Sequence, residues 1–241
     1  MNRNRGAKKM FGTIVNVIAI VIGSIIGMAF KKGIPETYKE TIMQGIGLST
    51  LLIGFKMGFH ANNELIVILS LVIGGLIGEG LKIDYRLNEF GDYLQKKVGN
   101  GEGDFVRGFV SASLLFCVGA MAILGSIESG LTGNHKVLFA KSTLDFVTSL
   151  IFSSSLGLGV LFSALPVFIY QGLITILASS IKGILIEQVV SYMTATGGLL
   201  IVGIGINLLG IKKINAANLL PAIFIVIGLV FIGLRWFPSY I

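Results

Sequence analysis

Charge is scarce in this chain. Asp, Glu, Lys and Arg make up 13% of its 241 residues, about half the share of an average soluble domain. That excludes a solvated globular surface and a disordered, charge-rich chain. Cysteine is almost absent: Cys117 stands alone in an apolar run. Neither an intrachain disulfide framework nor a thiolate metal centre can be built from one thiol, and a lone buried Cys acts as a small hydrophobe. The two histidines, His60 and His135, lie beside polar stretches and form no H-E-x-x-H pair. Asp145 is the one aspartate inside an apolar block, and no serine there has a base at hand. These absences speak against an intramembrane enzyme, so no catalytic residue, metal or cofactor is expected. Proline is rare too: Pro166 falls inside an apolar block, where it frees a carbonyl and can kink a helix, whereas Pro221 sits where a first-turn proline is tolerated.

What the chain does contain is apolar length. Hydrophobic residues make up 54% and the mean hydropathy is +0.87. Blocks long enough to cross the hydrocarbon, about 20 residues each, recur at residues 11 to 30, 41 to 59, 64 to 81, 105 to 127, 137 to 156, 159 to 181, 189 to 211 and 218 to 235. The fold class expected is therefore all-α: a polytopic helical membrane protein with seven or eight transmembrane helices. Residues 137 to 181 contain no charged loop: a turn near Leu156-Gly157-Leu158-Gly159 gives eight spans, and a single long broken or re-entrant segment gives seven. Four regions follow in chain order: a basic tail (1–10), a first helical unit (11–82), an amphipathic helix with a Gly-rich linker (83–104) and a second helical unit (105–241). Spans and short connections use up the chain, leaving no room for a soluble catalytic domain.

The net charge of +7 would suggest nucleic acid in a soluble protein. Here the basic residues stand at the ends of apolar blocks, where they set topology and meet headgroups, so the bilayer is the expected partner and nucleic acid is not. Arg3, Arg5, Lys8 and Lys9 before an apolar run imitate a signal peptide, but residues 11 to 30 are too long for its hydrophobic core and lack an A-x-A exit. They read as the first span, with Met10 a natural alternative start. Between the third and fourth spans, Ile83, Leu87, Phe90, Leu94 and Val98 recur at helical spacing opposite Asp84, Arg86, Glu89, Asp92 and Lys96, the pattern of a helix lying on a membrane surface. Residues 99–104 read as a flexible linker. With the basic tail discounted, the distribution of Lys and Arg puts this helix in the cytoplasm and the N-terminus outside.

A faint internal echo relates GLSTLLIGFK (47–56) and LSLVIGGLIG (69–78) to GIGINLLGIK (203–212) and FIVIGLVFIG (224–233). In the same register Asn16 falls opposite Gln171. Chance similarity among Gly- and Leu-rich helices competes with a true duplication, in which spans one to three and six to eight would form an inverted repeat, a transporter architecture. The 33 glycines include Gly23-x-x-x-Gly27 and Gly74-x-x-x-Gly78, small faces that let helix backbones approach in lipid and that also allow a homo-oligomer.

The chemistry-bearing residues centre on Lys141 and Asp145, four apart and thus on one face of a helix, inside an apolar block where an ionisable group costs at least a few kcal/mol unless paired or hydrated. Thr148 and Ser149 continue the stripe, with Ser153 at its edge. Three readings stay open: a structural pair fixing helix register, a coupling site for a proton or Na⁺, or an interfacial segment ahead of the membrane. Asn16, Gln44, Ser49, Thr50, Ser111, Ser113, Gln171 and Asn207 are further polar residues at depth, able to line one cavity or to bond singly between helices. Lys56, Glu79 and Arg107 lie near span ends and are expected to snorkel.

The motifs FGTIVNVIAIVIGSIIG (11–27), SASLLFCVGAMAILGSIESGL (111–131), KSTLDFVTSLIFSSSLGLGVLFSA (141–164), YQG (170–172) and NLLPAIFI (218–225) resemble the YdfK/YqgA-type bacterial membrane proteins, a family named as a domain of unknown function. The resemblance covers nearly everything from Met10 on and implies a multi-pass protein of the bacterial inner membrane, with transport suspected and no assigned site residue. The reading that follows is a small-solute or ion transporter or channel, coupled to a proton or cation through Lys141 and Asp145, with Asn16, Gln171 and Asn207 at a central cavity. The alternative is a non-catalytic oligomeric scaffold or a lipid or stress sensor.

Overall fold

A computed structural model describes residues 3–31, 36–98 and 105–236; the expected linker, 99–104, lies outside the described residues. Apolar runs free of interior proline favour helix, and in hydrocarbon a helix satisfies its own backbone. Among the described residues there are α-helices, one short 3-10 helix (Ala216–Leu219) and no strand. In chain order the α-helices are α1 (Arg3–Lys31), α2 (Glu36–Gly58), α3 (Glu64–Gly80), α4 (Ile83–Val98), α5 (Phe105–Cys117), α6 (Ala120–Thr132), α7 (Lys136–Leu156), α8 (Leu158–Phe162), α9 (Ala164–Ile181), α10 (Glu187–Leu208) and α11 (Ala222–Trp236).

Among the described residues, five stretches are long and apolar enough to cross a membrane: Lys9–Phe30, Lys136–Leu156, Leu158–Ile181, Glu187–Leu208 and Ala216–Trp236. The count reaches seven when α3 with α4, and α5 with α6, each bent by 57°, are taken as single spans. The expected span at 41–59 forms most of α2, in which Gln44, Ser49, Thr50 and Lys56 dilute the apolar run. The chain leaves α7 at Gly157, whose φ of 71° and ψ of −144° no β-carbon-bearing residue adopts without strain. The helix that Pro166 could kink is interrupted three residues earlier, at Ser163, where α8 gives way to α9. Pro166 thereby falls in the first turn of α9, where its missing N–H leaves no bond unmade.

The contacts divide the chain into two units, neither continuous in sequence: Met1–Glu40 with Gly91–Gly183, and Thr41–Phe90 with Ile184–Ile241. This division follows packing, whereas the partition read from the sequence, at residues 82 and 104, follows chain order. Each helix of the internal echo falls in the same unit as its mate: spans one and six in the first, spans two, three, seven and eight in the second.

In the first unit α1 lies along α7. A β-carbon on Gly12 would stand 2.8 Å from Leu138 Cδ1, one on Gly23 would collide with the Phe146 carbonyl and Ser149 hydroxyl, and one on Gly27 would stand 2.9 Å from the Leu150 carbonyl carbon. Numbers rise together along both helices, so α1 and α7 run in the same direction. A β-carbon on Gly130 of α6 would stand 2.7 Å from Ala178 Cβ of α9. One on Gly159 of α8 would stand 2.7 Å from the Phe109 nitrogen of α5. Phe105 packs on Phe162 there, with ring centroids 5.6 Å apart.

In the second unit α10 is almost enclosed, and its Gly198 would place a β-carbon 2.7 Å from the Gly54 carbonyl of α2. Gly74 and Gly78 of α3 lie on the start of α11: added β-carbons would stand 2.5 Å from Ala222 Cα and 2.6 Å from the Asn218 carbonyl carbon. Asn218 also donates from Nδ2 to Glu79 (2.7 Å) and accepts from the Asp84 backbone N–H (2.7 Å), which ties the bend between α3 and α4. Glu79, expected to snorkel, is exposed and holds this bond as well. Along α4, Ile83, Leu87 and Leu94 are half-buried and Arg86, Glu89, Asp92 and Lys96 exposed, as the periodicity requires. Asp84 is half-buried, its backbone N–H bonded to Asn218, and Phe90 is exposed beside Tyr85 and Tyr93.

Candidate coupling site

α7 buries Leu138, Lys141, Ser142, Asp145, Ser149, Phe152, Ser153 and Leu156 along one stripe, while Phe139, Leu144, Val147 and Ile151 point outward. The polar stripe faces protein because α1 offers it glycines and one amide. The Lys141 ammonium donates to Asp145 Oδ2, and both residues are 6% exposed. Above the ammonium, 5.9 Å away, is the ring of Phe116 from α5, a favourable place for a cation.

Two other helices close on Asp145. Asn16 of α1 donates from Nδ2 to Asp145 Oδ2 at 2.9 Å and to Gln171 Oε1 of α9 at 3.4 Å. Asn16 and Gln171 are both 0% exposed. One turn away, the hydroxyls of Thr13 and Thr175 stand 3.5 Å apart, linking α1 to α9 again. The carboxylate dictates the orientation of both amides. An ionised carboxylate only accepts, so Asn16 must present its NH₂ to Asp145; that NH₂ faces Gln171, which must answer with its oxygen. Asn16 Oδ1 and Gln171 Nε2, one acceptor and one donor, are left buried without a partner. Flipping Gln171 alone would set donor against donor.

The remaining sequence candidates make bonds of their own. Ser149 and Ser153 donate to the carbonyls of Phe146 and Leu150 in their own helix, and their hydroxyls lie under Gly23 and Gly27. Thr148 is half-buried and donates to the Leu144 carbonyl. Asn207 belongs to the second unit, where its amide donates to the Ile214 carbonyl (2.7 Å) and accepts from the Ile214 N–H (2.6 Å), closing the turn after α10. The polar residues read as lining one cavity are likewise divided: Asn16, Ser111, Ser113 and Gln171 lie in the first unit, Gln44, Ser49, Thr50 and Asn207 in the second.

Some features had little signal in the sequence. Thr13 and Thr175 each stand about one turn from Asn16 and Gln171, a spacing that could have flagged them. Ser129 donates to the Lys9 carbonyl (2.6 Å), so His135, with Nδ1 2.8 Å from the same hydroxyl, donates to it. Nothing local in the sequence joins those three. Among the described residues no group of three or more His, Cys, Asp or Glu side chains is placed to hold a metal.

A family model described as "Protein of unknown function (DUF554)" matches residues 11–231. The chain belongs to that family. Its relatives include the "Uncharacterized membrane protein YdfK" of Bacillus subtilis strain 168, 35% identical over 94% of this chain and 100% of that protein. Another is the "Uncharacterized protein YqgA" of Escherichia coli K12, 28% identical over 95% and 99%. No solved structure matches. The matched DUF554 region begins at Phe11, leaving the basic tail outside it, and contains all four residues of the Asn16–Asp145–Lys141–Gln171 cluster. With its apolar helices and a relative named as a membrane protein, this DUF554 member is a multi-pass membrane protein.

Proposed function

We propose that this DUF554 protein is a small-solute or ion transporter or channel of the bacterial inner membrane, coupled to a proton or cation through Asp145. The carrying observation is that a charged pair inside an apolar helix is met by amides from two other helices, all buried in one unit. Lys141 is the internal counter-charge of the empty site. When Asp145 takes a proton or cation, the ammonium loses its partner and the bond from Asn16 weakens, so occupancy is felt at once by α1, α7 and α9. A pair serving only as a fastener would be matched or improved by well-packed apolar residues; the cost of keeping charge at depth supports a functional role. No enzymatic step belongs to this reading. Liposomes loaded with a pH dye, carrying wild type or Asp145→Asn, test it through solute-dependent proton or cation flux. Flux in the wild type that disappears in the variant supports coupling at Asp145; flux unchanged in the variant refutes it.

A second reading is an oligomeric scaffold or lipid sensor acting through α4, favoured by its exposed Tyr85, Phe90 and Tyr93 with Lys97 over the Tyr93 ring at 4.8 Å. Amphipathic rings beside cations suit the headgroup layer. It requires that deleting residues 83–98 abolish function while Asp145→Asn stays silent.

A further inference from the structure

Among the described residues, six of the seven buried side-chain polar atoms without a partner lie in the first unit: Asn16 Oδ1, Ser24 Oγ, Ser113 Oγ, Ser126 Oγ, Ser155 Oγ and Gln171 Nε2. Four are hydroxyls, which can rotate toward a carbonyl of their own helix. The two amide atoms have no such escape, because the ionised Asp145 fixes which way Asn16 points and Asn16 fixes Gln171. Leaving a buried donor and a buried acceptor unmade is expensive, and the arrangement keeps one of each on neighbouring side chains.

From this we infer that Asn16 Oδ1 and Gln171 Nε2 are the two recognition atoms of a binding site for a small uncharged solute that carries a hydrogen-bond donor and an acceptor on adjacent groups. A primary carboxamide is the simplest member of the class. The inference rests on the transport reading and names the chemistry of its solute. Asn16 Oδ1 calls for an N–H or O–H, and Gln171 Nε2 calls for a carbonyl or hydroxyl oxygen. Charge selects a neutral ligand: Lys141 and Asp145 cancel each other, and the other side chains at the cluster, Thr13, Thr175 and Phe116, carry none. An anion would find its counter-charge already engaged, and a cation would compete with Lys141 for Asp145 instead of using Gln171. Asn16 and Gln171 are also the two positions that the internal echo sets opposite each other.

Asp145 is then a positioning residue for the solute. While it is ionised, the site offers acceptor Oδ1 and donor Nε2. When it is protonated, its new O–H calls for Asn16 Oδ1; the Asn16 amide turns, Gln171 follows, and the site offers donor Nδ2 and acceptor Oε1 instead. The same solute must then reverse or leave. Besides Asp145, the titratable groups around this switch are Lys141 on the same helix, Cys117 on α5 and Tyr170 on α9.

The test is direct binding of acetamide to the full-length protein in micelles, read by saturation-transfer NMR, with acetone, which accepts but does not donate, as the comparison. Wild type and Lys97→Ala, altered on the exposed face of α4, should bind acetamide and discriminate against acetone. Gln171→Met and Asn16→Leu should each weaken acetamide by about tenfold or more, the loss expected when one buried hydrogen bond is left unmade. Absence of an acetamide signal in the wild type, equal signals for acetamide and acetone, or either variant binding as well as the wild type would overturn the inference; the first is also the result for a site filled by a fixed water. If a variant fails to fold, the wild-type comparison of the two ligands carries the test. Binding without proton or cation flux in liposomes would fail the transport reading alone, and flux without acetamide binding would fail this inference alone.

Discussion

Removing one member of the Lys141–Asp145 pair should cost far more than removing both. Each residue is 6% exposed, and the ammonium has Asp145 Oδ2 and the Phe116 ring as its surroundings. A buried pair broken on one side loses about 3–5 kcal/mol because the survivor stays desolvated and uncompensated. Asp145→Asn belongs near the lower end, since an amide oxygen still accepts from Asn16. Asp145→Leu should add about 1–3 kcal/mol by leaving the Asn16 NH₂ without its acceptor. Replacing both residues, as Lys141→Met with Asp145→Leu, removes both charges, and such exchanges are often neutral. Reversible denaturation of purified protein in mixed micelles gives the four corners of the cycle. The double variant should be more stable than Asp145→Leu alone, with a coupling energy of at least about 2 kcal/mol, beyond the 0.5 kcal/mol within which independent sites add. Singles costing under about 1 kcal/mol, the range of solvated surface pairs, with strict additivity in the double, would refute the view that this pair is buried and mutually dependent.

Other expectations are narrower. Gly27→Val and Gly78→Val place atoms on backbone, at Leu150 and Asn218, and each should destabilise by at least about 1–3 kcal/mol, whereas Gly45→Ala and Gly228→Ala meet nothing within 4 Å and should fall within about 0.5 kcal/mol of wild type; the same denaturation assay checks all four. Asn218→Ala removes the acceptor of the Asp84 N–H and the donor to Glu79; a loss of about 1–3 kcal/mol should come with faster hydrogen exchange at Asp84. In a Cys117→Ser background, Lys97→Cys should react with an impermeant maleimide only from the cytoplasmic side, as the distribution of Lys and Arg requires; labelling from outside would reverse the orientation.

Much of the helical architecture was legible because lipid removes alternatives: an apolar block of sufficient length has little choice but helix. Asn16, Lys141, Asp145 and Gln171 stood out for the same reason, as polar groups in such blocks, and the structure brings those four together. Asn207 stood out equally, and its side chain closes the turn after α10, a use that no periodicity separates from a shared site. Apolar spacing along α4 identifies a face without saying what covers it, so the bond from the Asp84 N–H to Asn218 could not be read from it. The pairing of α1 with α7 was beyond reach, since Gly23 and Gly27 announce a close partner but not which one.

The seam of Gly74 and Gly78 against Asn218 and Ala222 bears on the order of biogenesis. Its two halves are made far apart in time: α3 ends at Gly80, whereas α11 begins only at Ala222. Until then the glycine face of α3 meets lipid, which fills a backbone groove poorly, and when α11 arrives there are few rotamers to freeze in closing it. α11 is thus the keystone of its unit, and a nascent chain stalled before Asn218 would present an open glycine groove on α3.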